Sequence, residues 1–180
     1  MIERLGIVAI VLAGCASPGP VVEPLPSAEK IGDEIVVCGQ RFHIGAPVVL
    51  WSDPDGYDAY RPTCRFDPGI TLPTNPAGTP TPNRYGDRHK NLPQPVARRI
   101  IEQGWDLPTL REYVDLFVLH YDVAGTSRRC FQILHDRRGL SVHFLLDVDG
   151  TIYQTLDLQE RAWHAGSAND RSIGIEIAHP

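Results

Sequence analysis

Two histidines and one glutamate between positions 120 and 176 are residue types suited to hydrolysis. They are His120, His164 and Glu176. A neutral imidazole can ligate zinc, and a carboxylate can take a proton from a water molecule as that water attacks a carbonyl carbon. These residues therefore predict a hydrolytic site, provided that the fold brings them together.

Two predicted strands would position these groups. Leu116–Leu119 is a continuous apolar run that ends at His120, a pattern typical of a strand buried on both faces. In Ser172–Ile177 the isoleucines at alternate positions share one face, so Glu176 must point to the opposite face. An unpaired buried carboxylate is costly, so Glu176 is expected to be hydrated, paired or catalytic.

The intervening chain predicts helices and a hairpin. Pro95–Gln103 has helical apolar spacing and stops at Gly104, and Thr126 or Ser127 can cap a second helix that ends near Gly139. Asp149-Gly150 favours a tight turn between two short strands. A strand, helix, hairpin and strand in this order predict an α/β fold with a mixed central β-sheet flanked by helices.

Four motifs in this region resemble one enzyme family. They are, in chain order, Phe117–Asp122, Ser141–Phe144, Arg161–Gly166 and Ser172–Ile177. Together they resemble the zinc-dependent N-acetylmuramoyl-L-alanine amidases, the family shared by cell-wall recycling amidases, phage lysozyme-type amidases and peptidoglycan recognition proteins. The resemblance covers roughly residues 113–180 and implies that family's fold, a Zn²⁺ cofactor, and peptidoglycan or muropeptides as the partner.

The resemblance also implies roles for single residues. His120 would be a zinc ligand, Glu176 the general base, and Trp163 and His164 substrate-binding residues, with His164 a candidate to stabilise the developing oxyanion. His143 is expected to be structural. The alternatives are a structural histidine at the strand end, a solvent-facing glutamate on an edge strand, and a loop tryptophan that packs on the core.

The resemblance implies two further zinc ligands downstream of the glutamate strand, a histidine and then an aspartate or cysteine. Only Ala178, His179 and Pro180 follow Ile177. The expectation is therefore an amidase domain truncated at its C-terminus, in a fragment or truncated reading frame of a longer amidase.

The N-terminus has the pattern of a targeting segment. Residues 1–14 predict a lipoprotein signal peptide, because an apolar run leads into Leu12-Ala13-Gly14-Cys15. Cys15 would then be the lipidation site, and the protein would be exported to the cell envelope and anchored by lipid to a membrane, periplasmic or outer. The alternative is an ordinary signal peptide with an incidental cysteine.

Three further segments complete the predicted organisation. Residues 15–33 form a Pro-rich tether, residues 34–92 a strand-and-loop extension, and residues 93–180 the amidase domain. Export favours a disulfide, with Cys38 and Cys64 the preferred pair and Cys130 a buried thiol. The alternative, a zinc site of Cys38, His43, Cys64 and His89, matches no strong ligand spacing.

The charge argues against one class of partner, and the motifs favour one class of reaction. The formal net charge of −5, without basic runs, argues against nucleic acid as a partner. The predicted function is hydrolysis of the amide between N-acetylmuramic acid and L-alanine by a zinc-activated water. The alternatives are a non-catalytic peptidoglycan-binding lipoprotein and a structural lipoprotein without a ligand.

Overall fold

The computed structural model describes residues 32–70 and 85–179. The predicted signal peptide, the tether up to residue 31 and the proposed lipidation site Cys15 lie outside these residues. The strands are β1 (Gly32–Val37), β2 (Gln40–Leu50), β3 (Tyr85–Asp87), β4 (Leu116–Tyr121), β5 (Phe144–Leu146), β6 (Ile152–Gln154), β7 (Glu160–Ala162) and β8 (Ser172–Ile177). The helices are α1 (Gln94–Gln103), α2 (Leu107–Tyr113) and α3 (Ser127–Phe131), with 3-10 helices at Arg88–Asn91 and Gly166–Arg171 and a π-helix at Gln132–Arg137.

The strands form a mixed six-stranded sheet and a separate two-stranded sheet. The order in the large sheet is β1-β2-β6-β5-β8-β4, and β3 pairs with β7 in the small one. The β1–β2 and β5–β6 pairs are antiparallel, whereas β2–β6, β5–β8 and β4–β8 are parallel. The predicted fold class, a mixed central β-sheet with helices, is therefore confirmed.

Most of the predicted local elements are present. Helix α1 ends at Gly104, whose φ of 82° suits glycine and whose N–H donates to the carbonyl of Ile100. Thr126 caps α3 by accepting a hydrogen bond from the N–H of Arg129. Gly150, with a φ of 87°, closes the turn that joins β5 to β6.

Strand β4 is placed differently from the prediction. It is the outermost strand of the large sheet, so its Phe117 and Leu119 side chains are 59% and 66% exposed. The expectation of a strand buried on both faces was wrong. An apolar run indicates the type of the side chains, but it does not indicate whether the strand lies at the centre or at the edge of its sheet.

The register of β4 against β8 gives this end of the sheet two distinct faces. His120 lies opposite Glu176, and Leu145 of β5 also lies opposite Glu176. We call the face that carries Val118, His120, Leu145, Gly174 and Glu176 the His120 face. The opposite face, the isoleucine face, carries Phe117, Leu119, Tyr121, Phe144, Ile173, Ile175 and Ile177.

Each face packs against different elements. On the His120 face, Leu145 is fully buried in a cluster with Cys130 and Phe131 of α3. On the isoleucine face, Phe144 packs with Leu110 of α2 and with other apolar side chains, including Ile173 and Ile175. Burial of this apolar surface on both sides of the sheet stabilises the fold.

The first two strands, which lie in the predicted strand-and-loop extension, belong to the same sheet. Val48 of β2 pairs with Ile152 of β6. The buried side chain of Gln154 accepts a hydrogen bond from Val36 N–H and donates to the Val36 carbonyl, at 2.7 Å in each case. These bonds tie β1 to the centre of the sheet.

The predicted Cys38–Cys64 disulfide is not formed. Cys38 is a free thiol in the β1–β2 turn, where the carboxylate of Asp157 accepts hydrogen bonds from the backbone N–H groups of Cys38 and Gly39. The Cys64 sulfur instead lies 3.5 Å from the carbonyl oxygen of Asp136. The prediction was wrong because Asp157 holds the backbone at Cys38, whereas Cys64 contacts Asp136. Export to an oxidising compartment favours disulfides in general but does not indicate which cysteines lie close together.

Two other predictions concern the helix on the His120 face. Cys130 is a buried free thiol, as predicted. The α-helical spacing of this segment would place His135 on its polar, solvent-facing side, but the structure buries it, with its Nδ1 2.7 Å from Asp136 Oδ1. The π-helix explains the difference, because its wider turn rotates side chains away from the faces that α-helical spacing predicts.

Across residues 32–70 and 85–179, no helix has the length and apolar character needed to cross a membrane.

Candidate functional site

A cleft at the end of β4 and β8 brings two of the predicted site residues together. His120 and Glu176 line one cavity of about 270 Å³ between the His120 face and the helical segment that follows β4. Its other lining residues are Tyr121, Asp122, Val123, Ala124, Cys130, Ile133, Leu134 and Arg138. The parallel β4–β8 register is the cause, since it aligns His120 with Glu176.

Glu176 is tuned for proton transfer near neutral pH. Burial raises its pKa to about 7, and the nearby carboxylate of Asp122 acts in the same direction, while Arg138 opposes both. Asp122 is buried and accepts a hydrogen bond from the N–H of Ala124. A carboxylate with a pKa near the working pH suits a general base.

His164 is fixed directly against strand β8. A Cβ atom added to Gly174 would come within 2.5 Å of the His164 ring, so only glycine leaves room for the imidazole there. His164 Nδ1 lies 3.0 Å from Nε2 of His120, and its Nε2 lies 3.3 Å from the hydroxyl of Ser172. The ring therefore has a polar contact at each nitrogen.

Both imidazoles of this pair are neutral at neutral pH. Burial lowers the pKa of His120. Burial also lowers the pKa of His164 to about 4, and the positive charges of the nearby Arg88 and Arg161 act in the same direction. In the His120–His164 contact one ring nitrogen donates and the other accepts, which orients both rings.

The loop after β7 holds His164 through its backbone. The side-chain oxygen of Asn169 accepts hydrogen bonds from the N–H groups of His164 and Ala165. Trp163 precedes His164 and donates its own backbone N–H to the hydroxyl of Ser141, while its ring remains 40% exposed. The exposed ring lies next to the loop that fixes His164, where a ligand could contact it.

His143 is a buried structural residue, in line with the prediction. It is fully buried, and its Nδ1 accepts a hydrogen bond from the N–H of Gly174. Because Nδ1 accepts, the neutral ring carries its proton on Nε2, which donates to the carbonyl of Glu160. Burial, followed by the charge of Arg88, holds the pKa of His143 well below its usual value.

The side chains around His120 and His164 do not complete a zinc site within the described residues. A catalytic zinc site uses three protein ligands and leaves one position open. His120 and His164 present two imidazole nitrogens 3.0 Å apart. In the ranges 32–70 and 85–179, no three His, Cys, Asp or Glu side chains are grouped so that they could hold a metal, so the set is incomplete there. The alternative of Cys38, His43, Cys64 and His89 fails the same test.

Sequence reasoning missed several residues that build this site. Asp122 follows His120 by two positions, so strand alternation alone could have placed it on the His120 face. Gly174, Ser172 and Asn169 act by close approach or hydrogen bonding to His164, and no spacing rule indicates such contacts. Arg88 belongs to the strand-and-loop extension of residues 34–92, which contains none of the four family motifs.

Comparison with known proteins gives a family match for the C-terminal segment. Residues 110–180 match the family model described as N-acetylmuramoyl-L-alanine amidase. The match confirms the resemblance predicted from the four motifs. It includes His120, Trp163, His164 and Glu176.

One solved structure gives a weaker likeness. A crystal structure of a selenomethionine AmpD derivative is 22% identical and covers 54% of this chain, with a TM-score of 0.32. This chain covers 57% of that chain, little more than half of its length. No curated protein matches the chain.

Proposed function

We propose, from the family match over residues 110–180, that this protein is an N-acetylmuramoyl-L-alanine amidase. Its substrate would be peptidoglycan or muropeptides, and it would cleave the amide between the lactyl group of muramic acid and L-alanine. One observation carries the proposal. Within the matched segment, His120 and Glu176 line one cleft, and His164 contacts His120.

Glu176 is the proposed general base. Its carboxylate would take a proton from a water molecule as the water oxygen bonds to the amide carbonyl carbon. The same proton would then pass to the leaving nitrogen as the C–N bond breaks, so Glu176 ends the cycle ionised. A pKa of about 7 allows Glu176 both to accept this proton and to release it near neutral pH.

Trp163 and His164 are the proposed substrate-binding residues. The partly exposed Trp163 ring can stack on an apolar face of a sugar or peptide. His164 is held from both sides, so a polar group of the substrate would meet a ring of fixed orientation.

Zinc is the proposed cofactor because the matching family is zinc-dependent, and His120 is its proposed ligand. Because the described residues do not complete a three-ligand site, we derive no reaction step through the metal. Zinc content of the purified protein, measured by atomic emission, tests this part of the proposal separately from activity. A stoichiometric ion that is lost in His120→Ala would support it, and a metal-free but active protein would overturn it.

The cellular setting is a proposal from the N-terminal pattern. Lipid at Cys15 would keep the protein in the cell envelope, where peptidoglycan is present. Labelling with a radioactive or alkyne-bearing fatty acid, compared with a Cys15→Ser variant, tests the anchor. Equal labelling of both proteins would exclude Cys15.

The decisive experiment for the activity follows peptide release. Purified protein is incubated with muropeptides, and peptides that begin with L-alanine are measured by mass spectrometry. Glu176→Gln should lower the rate by about 100-fold or more, since general-base catalysis contributes ~10²–10⁴-fold. The matched control is Glu102→Gln at an exposed position of α1. Wild-type activity in Glu176→Gln would exclude the proposed role.

A second candidate is a non-catalytic peptidoglycan-binding lipoprotein. The incomplete set of metal donors among the described residues favours it. This protein would sediment with purified sacculi and release no peptide. Absence of sedimentation and of peptide release would leave only a structural role.

A further inference from the structure

Arg88 is a buried arginine whose two terminal nitrogens donate hydrogen bonds to backbone carbonyls. It is 1% exposed and comes from the 3-10 helix Arg88–Asn91. Its Nη1 donates to the carbonyls of Asn169 and Asp170 at 2.9 and 3.0 Å, and its Nη2 donates to the carbonyl of Ser172 at 2.7 Å. A buried guanidinium is costly, and these charge-assisted hydrogen bonds offset that cost.

These carbonyls mark the junction between the 3-10 helix Gly166–Arg171 and strand β8. Carbonyl groups at a helix C-terminus lack partners within the helix, and a cation there is favourable. Arg88 therefore joins the end of this helix to the first residue of β8. The planar fork of an arginine suits three carbonyls held in fixed directions, which the single ammonium of lysine cannot match.

The residues that Arg88 holds are those that hold His164. The side chain of Asn169 binds the backbone N–H of His164, and the Ser172 hydroxyl lies beside His164 Nε2. Arg88 bonds the carbonyl group of each of these two residues. A shift of either residue would move His164 away from His120.

A second route passes through His143. Arg88 Nη2 lies 3.0 Å from His143 Nε2, and His143 Nδ1 accepts from the N–H of Gly174, on which the His164 ring rests. Since His143 Nε2 carries the ring proton, the Arg88 contact is between two donors and is not a hydrogen bond. It limits the space available to the ring on that side.

We propose that Arg88 is a positioning residue that holds His164 in place beside His120. It does so through the carbonyls of Asn169 and Ser172 and through the His143–Gly174 contact. Arg88 lies outside the segment that matches the amidase family, so the preceding chain supplies part of the site's framework. The catalytic consequence rests on the proposed function, whereas the structural consequence does not.

The test compares Arg88→Lys with wild type. The readouts are the ring-nitrogen signals of His164 in two-dimensional ¹H–¹⁵N spectra and the kcat and KM for muropeptides. We expect the His164 signals to move or broaden. We also expect kcat to fall by roughly 10- to 100-fold with KM little changed, since small misplacements in a site cost about this much. Arg41→Lys, at an exposed ion pair on β2, is the matched control and should leave both readouts unchanged.

A second variant keeps the test usable if Arg88→Lys does not fold. Arg88→Gln keeps an amide donor and removes the buried charge, so it should fold if the ammonium of Arg88→Lys proves too costly. Unchanged His164 signals in a folded Arg88 variant would overturn the proposal. Loss of cooperative unfolding in both variants would also overturn it, because Arg88 would then stabilise the whole fold and not one side chain.

The outcomes separate this inference from the proposed activity. If the wild-type protein releases no peptide, the proposed function fails, but the His164 signals still decide the role of Arg88. If the wild-type protein is active and the His164 signals of Arg88→Lys match wild type, only the inference about Arg88 fails.

Discussion

The two faces of the β4–β8 pair are built from alternate residues of the same strands, yet the polar face is the more buried and the apolar face the more exposed. The His120 face, which carries imidazole and carboxylate groups, is enclosed, and Leu145 at its centre is 0% exposed. The isoleucine face is apolar, yet at β4 it leaves Phe117, Leu119 and Tyr121 largely open.

This difference in exposure shows that polar side chains can be buried where they have hydrogen-bond partners. The buried histidines next to β8 have specific contacts: His164 touches His120 and Ser172, and His143 binds the N–H of Gly174. Partnered polar groups cost little to bury, so burial here follows the hydrogen-bond network as well as hydrophobicity.

Leucine truncation should separate the two faces most clearly. Leu145→Ala removes a fully buried side chain of the His120 face, so the free energy of unfolding should fall by about 2–5 kcal/mol. Leu119→Ala, at a site 66% exposed on the isoleucine face, should change it by no more than about 0.5 kcal/mol. Urea denaturation of both variants measures the difference. Equal losses would mean that the two faces are equally packed.

A methyl group at Gly174 should disturb the His120 face from within. Gly174→Ala places a Cβ atom 2.5 Å from the His164 ring, and such overpacking typically costs about 1–3 kcal/mol. Gly69→Ala is the matched control, since a Cβ there meets no atom within 4 Å. Thermal melts monitored by circular dichroism compare the pair. If both variants melt together, the close approach of His164 to β8 is not needed for stability.

Removal of one charge on the His120 face should shift the pH dependence of activity. A general base works when ionised, so peptide release should rise as the pH increases through about 7, the pKa of Glu176. Asp122→Asn removes a negative charge that raises this pKa, so the midpoint of the rise should move to lower pH. Rates measured from pH 5 to 9 for wild type, Asp122→Asn and the control Asp33→Asn, whose side chain is 48% exposed on β1, test this. An unchanged midpoint in Asp122→Asn would remove Asp122 from the site.

Local rules predicted the elements that carry the site. Strand alternation placed Glu176 opposite the isoleucines, and the Gly104 and Thr126 signals marked helix ends that the structure contains. The family resemblance over the C-terminal segment is also confirmed. The roles of His120, Trp163, His164 and Glu176 stay predictions until the experiments above are done.

Long-range contacts account for what was not predicted. Arg88 reaches carbonyl groups more than 80 residues away along the chain, and Asp157 fixes the turn at Cys38 from 119 residues away. Neither contact leaves a periodic pattern in the sequence. The π-helix that buries His135 is a third case, because spacing rules assume α-helical geometry.

The parallel pairing of β2 with β6 bears on the order in which the protein folds. β1 and β2 can form their antiparallel hairpin early in synthesis, but β2 meets its other neighbour only after Ile152–Gln154 has been made. Contacts of such large sequence separation slow folding, because a long loop must close before they form. We expect the hairpin amides to gain protection from hydrogen exchange in two stages, with the Val48–Leu50 amides among the last. Pulse-labelling during refolding would reveal this order, and simultaneous protection of both strands would argue against it.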